Sequence, residues 1–334
     1  MNQTPAVSVV MSVRNGGTKL AATIDSVLSQ QGVHFEFIIV NDGSTDGSDM
    51  VLEDYAQRDG RVRVIHQDNV GLTQSLIRGC AEARGRYIAR QDAGGDISLP
   101  GRMVWQLAVL EENPDIVLTS CGTRFVGPEG EFLYTAIQHG DELQQGLEEL
   151  RVDRIRGPSH HGSTMFLNAA YKAVGGYRQE FWVAQDLDLW MRLVEVGRCV
   201  AIPEVLYEAN WNVGSISHLR REQQVLATRA MFECRQRRRQ GESERPLLDQ
   251  LCADIENTQT YNCIFSGLVR SRFNYFIGSL LESQDHVAAR RYLYQAVMSW
   301  PLHFKAWLKL LRLSVTHAMK KDAPSPIAKI GNPL

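Results

Sequence analysis

Short apolar runs alternate with helix-like patterns over the first part of the chain. Val7–Val13 reads VSVVMSV, a continuous apolar run typical of a buried strand, and Leu20–Gln30 follows it with apolar residues at helical spacing. The alternation continues with strand-like runs at Phe35–Val40, Val62–His66 and Arg86–Arg90. Strands that alternate with helices through short turns predict a parallel sheet covered by helices on both faces.

The patterns that follow are less regular and predict the end of this α/β part. Arg124–Tyr134 predicts a hairpin around a Gly-Pro-Glu-Gly turn, and a helix is predicted from about Asp186 to Val196. Cys199–Asn210 then predicts one or two short closing strands.

Helical patterns dominate beyond His218. From Arg270 the chain reads as a helix, a break, a second helix that ends before Pro301, and a third helix. This arrangement is similar to a tetratricopeptide-type helical hairpin. We therefore predict an α/β domain over residues 1–215, an all-α extension over 216–315 and a disordered tail over 316–334.

The charge of the chain is divided in the same way. Residues 1–215 carry 18 Lys and Arg against 28 Asp and Glu, a net charge of −10, and the remainder carries 18 against 10, a net charge of +8. The basic part could contact anionic lipid headgroups at a membrane surface. It could equally be the solvated face of a packed helical bundle. We expect no nucleic-acid partner.

Location and redox state follow from what the sequence lacks. The N-terminal apolar run has no basic segment before it and is too short for a signal peptide. No apolar stretch approaches the roughly 20 residues of a spanning helix. The six cysteines form no C-x-x-C pair, so free thiols are expected rather than a zinc site or disulfides. We predict a cytoplasmic protein, with peripheral contact to the inner face of the cytoplasmic membrane as an extension of that prediction.

Polar turns follow the predicted strands at the points where a parallel sheet binds its ligands. Such sheets bind ligands beyond the carboxyl ends of their strands. The turn NDGSTDGS begins at Asn41, and the turn RQDAGGD spans Arg90–Asp96. The carboxylate of Asp42 could form a turn or a helix cap, or it could accept the imide N–H of a uracil base.

Together these motifs resemble those of the family 2 glycosyltransferases, which have a GT-A fold and use nucleotide-activated sugars. The segments VSVVMSVRNGG, FEFIIVNDGSTDGS, RYIARQDAGGD and QDLDLWMRL occur in that family's order over about the first 215 residues. The resemblance implies that Asp42 binds the nucleotide base, normally uracil. It implies that Asp92 is the first acid of the metal-and-diphosphate motif and that Asp186 is the general base.

The resemblance also implies which residues contact the nucleotide sugar. Ser12 and Arg14 stand where the family usually has a proline and a tyrosine. Arg14 could add a charge-assisted contact to the nucleotide or point into solvent. The residues expected to bind the nucleotide sugar are Ser12, Arg14, Asn15, Asp42, Asn69, Arg90 and Asp92.

Asp186 and Asp188 both lie in the first turn of the predicted helix, where acids also interact favourably with the helix dipole. Residues two apart point in different directions, so one site cannot use both equally. The resemblance favours Asp186 as the base and implies that Gln185 replaces a family glutamate. On the acceptor side we expect Gln185, Trp190 and His161, with a core role open for Trp190 and a hydrogen-bonded structural role open for His161.

The metal is expected to be Mg²⁺ or Mn²⁺, bound at Asp92 and Asp96. The family usually places two acids one residue apart, whereas here Gly94 stands at the second position and the next acid is Asp96. A bend at the glycines could return Asp96 to the ion. Alternatively Asp92 binds the ion alone and Asp96 tethers the next helix, which is the interpretation we favour from sequence.

The predicted function is an inverting transfer of a sugar from a nucleoside-diphosphate sugar, UDP-linked, to a hydroxyl of a glycan or lipid-linked acceptor in cell-surface polysaccharide or glycolipid synthesis. The alternative is a catalytically impaired nucleotide-sugar-binding or scaffold protein that uses its helical tail for partners. A dinucleotide-dependent oxidoreductase would need a G-x-G-x-x-G turn after the first strand, and VRNGGTKL does not supply one.

Overall fold

A nine-stranded mixed sheet forms the framework of the protein. The computed structural model describes residues 4–149, 151–211, 221–257 and 266–321. The strands are β1 (Val7–Val13), β2 (Phe35–Asp42), β3 (Val62–Gln67), β4 (Tyr87–Asp92), β5 (Ile97–Ser98), β6 (Ile116–Val126), β7 (Phe132–Ala136), β8 (Met165–Leu167) and β9 (Arg198–Asn210).

The strand order is β3-β2-β1-β4-β8-β6-β9-β5, with β7 paired to β6. The β3-β2-β1-β4 half is parallel, as the alternation of strands and helices predicted. The short strand β8 then lies antiparallel between β4 and β6. Because β8 comes late in the chain, its segment returns to the sheet beside β4, and this brings the residues that precede it next to the carboxyl end of β4.

Helices follow the strands through most of the chain. They are α1 (Leu20–Leu28), α2 (Ser48–Arg58), α3 (Leu72–Ala81), α4 (Arg102–Glu112), α5 (Glu142–Glu148), α6 (Asn168–Ala173), α7 (Gln185–Leu193), α8 (Arg221–Gln240), α9 (Arg245–Asn257), α10 (Ser266–Leu281), α11 (His286–Ser299) and α12 (Phe304–Lys321). Two short 3₁₀ turns occur at Gly17–Lys19 and His161–Ser163.

The sheet is buried on both faces, which explains why its central strands are apolar without a break. All eight residues of β2 are buried. Alternate residues of β1 face opposite sides, so Val10 packs with Leu76 of α3 in one core cluster while Val9 packs with Ile24 of α1 in the other.

Two predicted elements are longer in the structure than their sequence patterns indicate. The first strand of the predicted hairpin begins earlier in the chain than Arg124, because it is the end of β6, which starts at Ile116. The one or two short strands predicted over Cys199–Asn210 form the single strand β9. β9 contains Pro203, which cannot donate a ladder hydrogen bond. The β6–β9 register shifts at Gly122, where an added Cβ would meet the carbonyl oxygens of Pro203 and Glu204, so the irregularity lets the strand continue past the proline.

The chain divides into two compact units, Met1–Tyr261 and Asn262–Leu334. Helices α8 and α9, which follow residue 215, lie in the first unit and pack on α7 through a cluster that includes Met191, Met231 and Leu251. The predicted boundary at residue 215 rests on composition and charge, and the contacts extend the first unit beyond it. Residues 322–334 of the predicted tail lie outside the described residues.

The second unit is helical, as predicted. The side chain of Asp285 caps α11 by accepting hydrogen bonds from the N–H groups of Val287 and Ala288. Gly278 of α10 lies so close to Leu293 that an added Cβ would crowd it, which is consistent with close packing of α10 on α11. The tetratricopeptide likeness stays a prediction.

Two predictions about cysteines and membranes can be compared with the described residues. Cys80, Cys121, Cys199, Cys234 and Cys252 are free thiols, and the first four are buried, as expected. Cys263 lies outside the described residues. In the part of the chain that the structure describes, no helix is both long and apolar enough to cross a bilayer.

Candidate active site

The predicted site lies at the carboxyl edge of the parallel half of the sheet. Ser12 of β1 is in register with Asp92, the last residue of β4. Val13, the last residue of β1, is in register with Asn41 of β2, one residue before Asp42. The topology therefore brings Ser12, Asp42 and Asp92 to one edge, where parallel sheets bind ligands.

Asp92, Asp96 and His160 form a cluster at this edge. One potential ligand atom from each residue lies within 4.8 Å of the others. The Nδ1 atom of His160 is 3.6 Å from Oδ2 of Asp96 and 3.9 Å from Oδ2 of Asp92. Gly95 has a φ of +93°, a conformation that glycine adopts readily, and this bend returns Asp96 toward Asp92. Carboxylate oxygens with one imidazole nitrogen suit a divalent cation such as Mn²⁺.

The cluster could therefore hold a divalent metal, with a histidine as a third donor. His160 Nδ1 also accepts a hydrogen bond from the N–H of Gly162 over 3.1 Å. Binding through this nitrogen would exchange that hydrogen bond for a coordinate bond. Asp96 lies beside Asp92 in the structure, which supports a metal site with two carboxylates. From the sequence we had favoured a site with Asp92 as its single carboxylate.

Strand β9 holds Asp96 in place. Oδ1 of Asp96 accepts the N–H of Asn210 over 2.9 Å, and Oδ2 accepts the hydroxyl of Tyr207 over 3.0 Å. The same hydroxyl accepts the N–H of Asp92 over 3.2 Å, so one tyrosine contacts the carboxylate of Asp96 and the main chain of Asp92. Burial raises the pKa of Asp96 to about 6, opposed by His160 and reinforced by the charge of Asp92.

Arg90 lies behind Asp92 and is fully buried. Its guanidinium donates to Oδ1 of Asp92 over 2.9 Å, to Nε2 of His161 over 3.3 Å and to the carbonyl of Val10. Burial opposes ionisation of Asp92, but the guanidinium of Arg90 holds its pKa below the usual range. Arg90 is directed at protein groups, so its geometry is that of a residue that positions Asp92 rather than one that reaches the donor.

His161 and Trp190 belong to the interior rather than to an open acceptor pocket. His161 is buried, its Nε2 lies 2.7 Å from the hydroxyl of Tyr177, and its ring meets Trp190 edge to face. Burial lowers the pKa of His161 to about 3, assisted by Arg90. Trp190 is a member of the core cluster, and an added Cβ on Gly157 would overlap its ring. Both side chains therefore have the structural roles that the sequence left open.

The two acids of α7 have different environments. Asp186 is half-buried at the second position of the helix, and its Oδ1 accepts the N–H of Leu187 over 2.8 Å. Burial raises its pKa, and the charge of Asp92 raises it further. Asp188 is buried and paired with Arg178 and Arg192. Of these two acids, Asp188 is therefore engaged in buried ion pairs, whereas Asp186 is partly exposed; its role as the base stays a prediction.

Gln185, the first residue of α7, is buried. It follows Ala184, which has a φ of +57°. Most non-glycine residues avoid positive φ, and the conformation turns the chain directly into the helix. The expected contact of Gln185 with an acceptor stays a prediction.

Asp42 is almost fully buried and is held by the loop after β3. Its carboxylate accepts hydrogen bonds from Gln67 Nε2 over 2.9 Å, from the Val70 N–H over 2.8 Å and from the Gly71 N–H over 2.9 Å. With its amide suitably oriented, Asn69 adds a fourth donor at 3.0 Å. A carboxylate has about four acceptor positions, so a base contact at Asp42 would have to displace one of these donors.

The turns after β1 and β2 are joined by hydrogen bonds. Asn15, with a φ of +56°, donates its N–H to Ser44 Oγ over 3.0 Å and accepts the Thr45 N–H on its side-chain oxygen over 2.8 Å. Arg14 and Asn69 are exposed in front of these turns, and Arg14 reaches the oriented amide of Asn69 over 3.2 Å. The geometry thus keeps Arg14 available to a ligand that approaches this edge.

Sequence reasoning missed three residues of the site: His160, Tyr207 and Asn210. The sequence prediction named the adjacent His161 on the acceptor side, and nothing in the local pattern selected His160. Tyr207 and Asn210 lie in a segment whose sequence indicates only a closing strand. Their role depends on the pairing of β5 with β9, in which Ser98 is opposite Tyr207, and local patterns do not encode this pairing.

The family model of glycosyl transferase family 2 matches residues 8–174, which is half of the chain. The chain belongs to this family. EpsE of Bacillus subtilis, which is named as a glycosyltransferase, is 33% identical over 213 residues, which cover 62% of this chain and 74% of EpsE. Hyaluronan synthase of Pasteurella multocida is 25% identical over 207 residues, which cover 62% of this chain and 20% of the synthase. As a family 2 member the protein is a glycosyltransferase.

Solved structures confirm the fold class. The crystal structure of residues 1–349 of Staphylococcus aureus TarS superposes with a TM-score of 0.52 at 14% identity, covering 94% of this chain and 91% of TarS 1–349. The likeness supports the predicted GT-A α/β fold followed by helices. It shows the fold alone, because sequence identity at this level does not transfer function.

Proposed function

We propose that this family 2 member is an inverting glycosyltransferase that moves a sugar from a UDP-linked donor to a hydroxyl of a glycan or lipid-linked acceptor. The carrying observation is that α7, which bears Asp186, lies against the Asp92–Asp96–His160 cluster, since the ring of its Trp190 meets the ring of His161, the neighbour of His160, edge to face. The charge of Asp92 contributes to the raised pKa of Asp186. A base beside a candidate diphosphate-binding cluster is the arrangement that this transfer requires. TarS has been solved with UDP and with UDP-GlcNAc, which supports the choice of donor.

Asp186 acts as the general base in the proposed reaction. As the acceptor oxygen forms its bond to the anomeric carbon, the hydroxyl proton passes to the Asp186 carboxylate. The bond from the anomeric carbon to the diphosphate oxygen breaks on the opposite face, and its electron pair leaves with the nucleoside diphosphate. A base with a raised pKa takes up a proton more readily near neutral pH.

The divalent ion of the proposal is Mg²⁺ or Mn²⁺, held by Asp92, Asp96 and His160. When bound there, the ion supplies positive charge that stabilises the departing diphosphate. The residues of this chain prepare that position, because Arg90 keeps Asp92 ionised and Tyr207 hydrogen-bonds the carboxylate of Asp96.

Several finer contacts are part of the same proposal. We assign the exposed Arg14 and Asn69, together with Ser12 and Asn15, to the nucleotide side of the site. Asp42 then orders the loop that carries Asn69 as well as facing the base. The name of the Pasteurella relative supports a role in polysaccharide synthesis, with a hydroxyl of a glycan or lipid-linked compound as the acceptor.

Replacement of Asp186 by asparagine tests the proposal. A panel of nucleotide sugars with and without Mn²⁺, read by thermal shift, first identifies the donor, because a bound ligand raises the melting temperature. Asp186→Asn should retain this shift and lose transfer by about 10²-fold or more, the contribution of a general base. Full transfer by Asp186→Asn would refute the assignment. Donor binding without any turnover by the unsubstituted chain would instead support the binding or scaffold alternative.

A further inference from the structure

Helix α12 presents an apolar face that the second unit does not cover. Phe304 is 72% exposed, Trp307 43%, Leu308 68% and Leu311 58%. These four residues, here called the α12 face, have the spacing i, i+3, i+4 and i+7 and therefore lie on one side of the helix. The helix packs its other side into the unit, where Ala306 is fully buried.

Two further large apolar side chains are exposed shortly before the helix. Leu302 is 65% exposed in the turn, and Met298 at the end of α11 is 63% exposed. The solvent-facing side of a helix in a helical stack is normally polar. Several large apolar side chains exposed on one side of such a helix indicate a contact with something outside the unit.

The charge of the second unit identifies the kind of partner. Residues 262–334 contain ten Lys and Arg against three Asp and Glu, a net charge of +7. Lys305 is exposed beside Phe304, and Arg290 is exposed on α11. A second copy of the unit would bring like charges together, whereas an anionic bilayer attracts them. Trp, Phe and Leu beside basic residues are the composition of helices that lie in a membrane interface.

We propose that the α12 face docks this chain on an anionic lipid surface, with the helix in the plane of the interface. Trp307 and its apolar neighbours enter the boundary between headgroups and acyl chains, while the basic residues contact the lipid phosphates. The docking requires neither the sugar donor nor the metal, so the vesicle experiment tests it independently of the proposed sugar transfer.

Cosedimentation of the full chain with lipid vesicles tests the proposal. The chain should bind vesicles of an equal mixture of phosphatidylcholine and phosphatidylglycerol, bind pure phosphatidylcholine more weakly, and lose affinity as salt is added. The variant W307S/L308S should lower the affinity about tenfold or more, because two large apolar side chains no longer enter the interface. Lys305→Glu should lower it about fivefold.

The matched control is Trp105→Ser. Trp105 is 50% exposed on α4 of the first unit, so the same substitution there should leave vesicle binding unchanged. Equal binding by W307S/L308S and the unsubstituted chain would overturn the proposal. So would an absence of binding to anionic vesicles at low salt. A dimer in sedimentation velocity that dissociates in W307S/L308S, without vesicle binding, would assign the face to a second copy instead.

Discussion

Arg178 donates from Nε to Oδ2 of Asp188 over 3.1 Å. This ion pair is the first in a series that leads from one end of α7 to the other and, together with the helix, forms a ring. Another nitrogen of Arg178 donates to Glu244, in the turn between α8 and α9. Arg238 of α8 donates to Glu244 over 2.7 Å and to Glu195 over 2.9 Å. Asp188 lies near the start of α7 and Glu195 just beyond its end. Both ends of the helix that carries the proposed base are therefore tied to the basic helix α8 and the turn that follows it.

Glu244→Gln should break this ring at its centre. We expect the maximal transfer rate to fall about tenfold, since small displacements of a catalytic group have large kinetic effects. Donor affinity should change by less than about twofold, since the predicted donor residues lie at the sheet edge. Steady-state kinetics together with donor binding by calorimetry would separate the two effects.

Glu242→Gln provides the control, because Glu242 lies in the same turn, has an exposed side chain, and its carboxylate lies a long 3.9 Å from the guanidinium of Arg237. It should leave both quantities unchanged. If Glu244→Gln lowered the melting temperature and donor affinity as much as the rate, the ring would be a general stabilising feature rather than a device that positions α7.

The parts of the site that could be predicted from sequence are those encoded locally. Asp42 and Asp92 follow apolar strands directly, so their position at the sheet edge follows from the parallel topology. The choice between the two acids of α7 could be made only in part from local sequence. The pairing of Asp188 with Arg192 has i, i+4 spacing on the same helix, but its pairing with Arg178 forms only in the folded chain. The return of β9 beside β5, which places Tyr207 against Asp96, is likewise a long-range pairing without a local pattern.

His160 and His161 are adjacent, but the same substitution should affect different properties. His160→Ala removes a donor of the proposed metal site from a side chain that is 25% exposed, so Mn²⁺ affinity should fall about tenfold while the fold is retained. His161→Ala deprives Tyr177 and Arg90 of a buried partner and should lower the free energy of unfolding by about 1–3 kcal/mol. Mn²⁺ titration calorimetry and urea unfolding would measure the two effects. A loss of Mn²⁺ affinity in His161→Ala alone would reverse the assignment.

Gly162→Ala should disturb the metal site through Tyr207. A Cβ at Gly162 would overlap the Tyr207 hydroxyl, which contacts both Asp92 and Asp96. We expect a loss of about 1–3 kcal/mol in the free energy of unfolding and a smaller rise in melting temperature on addition of Mn²⁺. Gly60→Ala is the control, since no atom lies within 4 Å of a Cβ built there. A full Mn²⁺-induced shift in Gly162→Ala would show that Tyr207 does not hold the acids.

The raised pKa of Asp96 predicts a pH dependence of the metal-free protein. The pKa of this buried carboxyl rises from its ordinary value of 3.8 to about 6, so the folded chain binds its proton more tightly than the unfolded chain does. Its contribution to stability is therefore fully present below pH 3.8 and is lost as the pH rises through about 6. Above that range the folded metal-free protein must keep a buried carboxylate next to the charge of Asp92.

Asp96→Asn resembles the protonated form and should reverse this penalty. In the presence of a chelator at pH about 8, we expect the variant to unfold with a free energy about 2 kcal/mol higher than the unsubstituted chain, and with no gain at pH about 4. With Mn²⁺ the order should invert, because the ion stabilises only a chain that offers the carboxylate, and its effect should fade as the pH drops through about 6. Urea unfolding at the two pH values, with chelator or Mn²⁺, measures all four cases. If Asp96→Asn destabilised the metal-free protein equally at both pH values, the hydrogen bonds to Tyr207 and Asn210 would outweigh the charge, and Asp96 would be a tether rather than a buried metal ligand.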